Sequence, residues 1–125
     1  IESLILDRGV DDALKRAHAF KEAGADGVMI HSRKSTPNEV FEFASRFRAD
    51  DKQTPLVCVP TSYNDVYYDD LSDRGFNIVI YANQMLRASF PAMRSVAEEI
   101  IKNGRSFESE AHLLSISEVI KLISA

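Results

Sequence analysis

Tryptophan is absent from this chain, and cysteine occurs once, at Cys58. One cysteine excludes an intrachain disulfide and a cysteine-based metal site. It points to a reducing compartment, here expected to be the cytoplasm. Glycine and proline are sparse, at 5 and 4 residues among 125. That excludes a collagen-like or low-complexity chain, and no Pro/Gly/Ser-rich linker divides the sequence. Positive charge is not in excess, since the formal net charge is -4. Bulk attraction to nucleic acid or to an anionic membrane is thereby excluded. No apolar run approaches the roughly 18 residues of a membrane helix. Metal-ligand spacings, a nucleophile elbow, a phosphate-cradling glycine loop and a dinucleotide fingerprint are also missing.

What is present is an ordinary globular composition, 45% hydrophobic and 27% charged, about one domain in size. Residue 1 is Ile and opens into a strand-like run, so the chain is expected to be part of a longer protein. Apolar runs then alternate with amphipathic ones. "IESLIL" (Ile1 to Leu6) predicts a first strand. Val10, Ala13, Leu14, Ala17 and Phe20 recur at helical spacing and predict a helix over Val10 to Ala23. Asp11 and Asp12 suit its N-terminal end, and Gly24 stops it. Asp26 to His31 is the second predicted strand. Thr36-Pro37-Asn38-Glu39 has the pattern of a capping box with proline in the first turn, and Val40, Phe43, Ala44 and Phe47 form the buried face behind it.

Thr54 to Thr61 predicts a third strand, Asp65 to Asp73 a short helix ended by Gly75, and Phe76 to Asn83 a fourth strand. A helix is expected over Gln84 to Asn103, followed by Gly104. Pro91 either interrupts it or starts its main body with Ser89 as cap. Ser115-Ile116-Ser117-Glu118 is a second capping box, opening a helix toward Ser124 with Ile116, Val119, Ile120 and Ile123 on one face. Strands alternating with helices predict parallel pairing, and the apolar strands are expected to be covered on both faces. Two architectures fit: a small open doubly wound sheet, and half of a (β/α)8 barrel.

In both, ligands bind at the carboxyl ends of the strands. Those ends carry Asp7-Arg8-Gly9, His31-Ser32, Thr61-Ser62-Tyr63-Asn64 and Asn83-Gln84. Three of the four present uncharged hydrogen-bonding groups, which suit carboxylate or phosphate oxygens. By strand alternation His31 shares a face with Met29, while Val28 and Ile30 face the helices. Each candidate also has a plainer role: His31 as a loop histidine, Thr61 and Ser62 closing a turn after Pro60, Asn83 as a helix cap, and Arg33 and Lys34 as loop charges. Glu2 within a strand needs either a partner or an exposed edge.

Three stretches carry a more specific signal. "VDDALKRAHAFKEAGADGVMIHSR", "TPLVCVPTSY" and "YANQMLRAS", in this order and spacing, resemble the second half of the phosphoenolpyruvate phosphomutase family, within the isocitrate lyase/phosphoenolpyruvate mutase superfamily. The resemblance covers nearly the whole chain and is weakest after Gly104. It implies an α/β chain forming the C-terminal half of a (β/α)8 TIM barrel, with residues 1–104 in the barrel. Residues 105–125 would form a C-terminal helical extension that packs on a neighbouring subunit of a homo-oligomer. It implies an isomerase that interconverts phosphoenolpyruvate and phosphonopyruvate, making the C–P bond of phosphonate biosynthesis. It implies magnesium (Mg2+), with its carboxylate ligands in the first half of the barrel and none in this segment. His31 matches the family's catalytic histidine, which contacts the phosphoryl group together with an arginine expected just before Ile1. Glu2 matches a strand-five carboxylate, and Thr61 and Asn83 match rim positions facing the pocket, so all four are expected to bind substrate. The implied partners are the small anionic substrate and the remainder of the barrel, without which the segment is expected to be inactive.

Two alternatives stand beside the mutase. One is a phosphonopyruvate hydrolase or a 2-methylisocitrate-type lyase of the same superfamily, distinguished by a gating loop that belongs to the first half of the barrel. The other is a non-enzymatic α/β binding module, which would be self-contained and monomeric.

Overall fold

The structure, a computed structural model, describes residues 1–123. The chain divides into two compact units, Ile1–Ala82 and Asn83–Ala125. The first unit contains α1 (Gly9–Glu22), β1 (Val28–Ile30), α2 (Asn38–Asp50), β2 (Leu56–Cys58), α3 (Tyr68–Asp73) and β3 (Ile78–Val79). The three strands form one parallel sheet in the order β1-β2-β3. Each crossover runs through a helix, as parallel neighbours require. The second unit contains α4 (Gln84–Asn103), a 3-10 helix (Phe107–His112) and α5 (Ile116–Lys121).

In α1 and α2 the helical faces read from the sequence are largely the buried ones, whereas the face read in α5 is exposed. Val40, Phe43, Ala44 and Phe47 of α2 are all fully buried, as are Ala13 and Ala17 of α1. They pack with Val28, Ile30, Leu56 and Cys58 from the sheet. Phe20, at the far end of the α1 pattern, is instead exposed. Strand alternation also holds: Val28 and Ile30 are buried, while Met29 is 40% exposed. Met29 pairs with Val57, which pairs with Ile78, so these three share the opposite face of the sheet. Ile78 is 50% exposed. Continuous apolar strands had predicted cover on both faces, but helices of this unit cover only one.

Ile1–Leu6 is not a strand. The backbone closes on itself, with Leu6 N–H donating to Glu2 O and Arg8 N–H to Ser3 O. Consecutive residues Ser3 and Leu4 are both buried, which strand alternation does not permit on a one-sided sheet. Leu4 enters the core, and the Ser3 hydroxyl donates to Asp12 Oδ2 at 2.6 Å. That hydrogen bond, with the Arg16 guanidinium beside it, holds the Asp12 carboxyl below its ordinary pKa. Local hydrogen bonds and a buried serine thus override an apolar run.

The remaining differences are also local. The strands are shorter than their apolar runs. Thr36 does not cap α2, and no side chain does; Glu39 turns instead to Ser32 and Lys34. Asn83 precedes α4 without a side-chain cap. Pro91 lies inside an unbroken α4, whose end at Gly104 adopts φ +66°. The capping box at Ser115 forms as expected, with Glu118 N–H donating to Ser115 Oγ and Ser115 N–H to Glu118 Oε2. Ser124, the expected helix end, lies outside the described residues.

One side chain knits the lower edge of the sheet. Arg48 of α2 donates from Nε and Nη2 to Gly75 O, from Nη1 to Asp51 O and Thr54 O, and from Nη2 to Asn77 Oδ1. Asn77 Oδ1 also accepts from Leu56 N–H at 2.9 Å, tying the entry of β3 to that of β2. Gly75 is required twice: its φ is +87°, and an added Cβ would lie 2.7 Å from Arg48 Nε. Nearby, the buried Asp51 carboxylate accepts from Thr54 N–H, Gln53 N–H and the Thr54 hydroxyl, and pairs with Lys21 of α1. The Lys21 ammonium and the Thr54 hydroxyl drive its pKa far below the ordinary aspartate value.

Arg48→Ala is expected to destabilise the fold by about 2–4 kcal/mol, because it strands buried carbonyls that lose a charged donor. Arg48→Lys should recover little, since an ammonium cannot reproduce the fork. Urea unfolding of the protein and both variants checks this. For Asp51 the sign is fixed by its lowered pKa. Its stabilisation is complete above the unfolded value of about 3.9 and is lost as pH falls toward the folded value. Urea midpoints of the protein and Asp51→Asn should therefore converge below about pH 4.

Candidate functional site

The carboxyl ends of β1 and β2 lie side by side, because Ile30 pairs with Cys58. His31 follows β1 directly, and Thr61 comes three residues after β2. His31 is half-buried and its imidazole makes no hydrogen bond or ion pair among the described residues. It continues the parity of Met29 and so belongs to the sheet face that helices leave uncovered. Thr61 is half-buried in a tight turn in which its N–H donates to Val59 O at 2.9 Å. Its hydroxyl is uncommitted.

Glu2 reaches this region by another route. Ile1 N lies 2.7 Å from Met29 O, placing the turn that contains Glu2 beside β1. The Glu2 side chain is exposed, on a turn rather than a strand, so it needs no buried partner. With Ser3, Arg8 and Arg16 it lines a cleft of about 520 Å³. Asn83 belongs to the second unit, where its carbonyl accepts from Arg87 N–H and its own N–H meets Gln84 Oε1. Its side-chain Oδ1 is buried without a hydrogen-bond partner, an acceptor left unused by the helix cap that sequence pattern assigned to it.

The segment after His31 is held by several polar contacts. Ser32 is fully buried, donates to Glu39 Oε1 and accepts from Lys34 N–H at 3.1 Å. Lys34 Nζ reaches the other Glu39 oxygen, and Arg33 pairs with Asp7 of the N-terminal turn. Arg33 and Lys34 are therefore committed to structural ion pairs. Glu39 was read from the sequence only as a helix-start residue. The serine four residues before the expected cap, Thr36, is what reaches it; sequence distance alone could not distinguish the two hydroxyls.

Two buried groups flank the β2 end. Burial pushes the Cys58 thiol up to about 12 and raises Tyr63 further, and the Tyr63 hydroxyl is buried without a partner. Cys58 is thus a packing residue in the apolar core rather than a nucleophile. Among the described residues no group of three or more His, Cys, Asp or Glu is placed to hold a metal ion. No helix of the described residues is long and apolar enough to cross a membrane.

The geometry is thus a parallel α/β sheet with a histidine and a threonine just beyond two adjacent strand ends, where ligands bind in sheets of this class. Residues 1–101 match the family model for phosphoenolpyruvate phosphomutase, and the chain belongs to that family. It is 38% identical to a phosphonopyruvate hydrolase of Variovorax sp. (strain Pal2), across 98% of this chain and 41% of that protein. It is 38% identical to a phosphoenolpyruvate phosphomutase of Streptomyces viridochromogenes, across 98% of this chain and 38% of that one. A crystal structure of phosphonopyruvate hydrolase in complex with oxalate and Mg2+ superposes with a TM-score of 0.84 at 38% identity, over 97% of this chain and 42% of the other. The chain spans about two fifths of the length of these relatives.

Thiol reactivity tests the Cys58 environment. The native protein is expected to resist alkylation at neutral pH, and the unfolded protein to react as an ordinary thiol with a pKa of about 8.5. Mass spectrometry after iodoacetamide treatment with and without urea reads the difference.

Proposed function

We propose that this chain supplies the second half of a (β/α)8 barrel in a phosphoenolpyruvate mutase-like enzyme. The observation that carries the proposal is the match to both a mutase and a hydrolase across 98% of the chain, combined with an uncommitted imidazole at the end of β1. The barrel gives a physical reason for the uncovered sheet face. Met29, Val57 and Ile78 would face the barrel interior, and the missing strands would cover them. The exposed side chains of Ile116, Val119, Leu122 and Ile123 on and after α5 would likewise be covered in a homo-oligomer.

In this reading the reaction is an isomerisation: the phosphoryl group leaves the enol oxygen of phosphoenolpyruvate and bonds to carbon, giving phosphonopyruvate. A phosphoryl group in transit carries charge on its oxygens that fixed donors stabilise. His31 would donate a ring N–H to one such oxygen. The Thr61 hydroxyl would hold an oxygen of the substrate at the rim, with Glu2 at its edge; in the second unit the Asn83 carboxamide is the group proposed to bind substrate. Magnesium, when bound by residues outside this chain, would supply positive charge to the pyruvyl oxygens.

A second reading rests on the equally identical hydrolase relative. There water would take the phosphoryl group and release pyruvate and phosphate. An assay of the full-length protein with phosphonopyruvate separates them: phosphoenolpyruvate is the expected product, and pyruvate plus phosphate would replace the mutase by the hydrolase. His31→Ala is expected to lower kcat/KM by about 10²-fold or more in either case, the usual effect of removing one transition-state donor. Unchanged turnover would sink the site assignment.

A further inference from the structure

We infer that Glu39 is a positioning residue that sets the place of the His31 imidazole through Ser32. The inference rests on His31 being the phosphoryl-contacting group proposed above. The His31 imidazole has no hydrogen-bond partner among the described residues, so its place follows from its backbone and its rotamer rather than from a polar anchor of its own. On one side that backbone is held by the ladder, in which Ile30 pairs with Cys58. On the other side it is held by Ser32, fully buried and donating to Glu39 Oε1. Glu39 is itself fixed, because α2 is seated in the core by Val40, Phe43, Ala44 and Phe47.

The carboxylate binds the loop at two points. Oε1 takes the Ser32 hydroxyl and Oε2 takes Lys34 Nζ, while Lys34 N–H closes back onto Ser32 Oγ. Glu39 is 12% exposed, and its negative charge lies in the first turn of α2, where the helix dipole favours it. Removing it would leave a buried serine hydroxyl without its acceptor and release the Lys34 side chain. The turn following His31 would then relax, and displacement of a catalytic donor by about 1 Å costs on the order of 10²-fold in rate.

The test is a double-mutant cycle in the full-length protein, with turnover of phosphonopyruvate as the readout. Glu39→Ala is expected to lower kcat by about tenfold or more while KM changes by less than about threefold. Glu39→Gln, whose amide oxygen still accepts from Ser32, should retain more activity than Glu39→Ala. In the His31→Ala background, Glu39→Ala should cost less than about twofold further, because the group it positions is already gone. Independent, multiplicative losses would overturn the positioning role and leave the His31 assignment intact. Full activity of His31→Ala would overturn both. Should Glu39→Ala fail to fold, the same cycle run with Ser32→Ala and with Glu39→Gln decides by the same two outcomes.

Discussion

The guanidinium of Arg48 is the interaction on which the sheet's lower edge depends. Backbone carbonyls at the turn into β2 and the turn into β3 have no partner within the three short strands. A fork with donors fixed in one plane can serve several of them from a single helix position. It reaches the carbonyls of Asp51, Thr54 and Gly75, and the Asn77 side chain passes the link on to Leu56 N–H. The short ladders would otherwise allow register slip, since few hydrogen bonds hold them. With the entries of β2 and β3 tied to α2, the exits of the strands are aligned as well. The functional edge therefore inherits its geometry from the opposite edge.

Much of the fold was legible because helical periodicity is a strong signal. The α2 face was identified residue by residue, and α1 required only Phe20 to be moved to the surface. The N-terminal run failed for a definite reason. "IESLIL" carries apolar residues suited to a strand, but Ser3 and Leu4 are buried side by side and the backbone bonds to itself. Whether an apolar hexamer extends or turns depends on partners elsewhere in the fold. Strand cover failed similarly: a continuous apolar run reports that a strand has apolar surroundings, not that this chain supplies them.

The candidate residues were legible in a different way. His31 and Thr61 were placed by the rule that ligands meet the carboxyl ends of parallel strands, and they do lie at adjacent strand ends. Glu2 was placed by an expected strand and instead occupies a turn. Asn83 was read as a substrate-binding rim residue with a helix cap as its plainer role; its side chain makes no cap, and its Oδ1 is buried without a hydrogen-bond partner. Glu39 was missed as anything but a capping residue, because a capping box and a loop clamp use the same carboxylate near a helix start. Which hydroxyl it meets, Thr36 or Ser32, is decided by how the loop folds.

The contrast among polar groups at this edge is itself informative. Arg33, Lys34, Ser32 and Glu39 satisfy one another or a neighbour, whereas His31 in their midst is left with no partner. A buried polar group without a partner is costly, and a half-exposed one costs little. Keeping His31 half-buried therefore leaves its ring nitrogens free at small cost, while the residues around it spend their hydrogen bonds on fixing the backbone. A site built this way separates two demands. In the proposed reading, rigidity would come from the groups that pair with one another, and recognition from the group left without a partner. Arg33 and Lys34, the nearby cations, instead pair with Asp7 and Glu39.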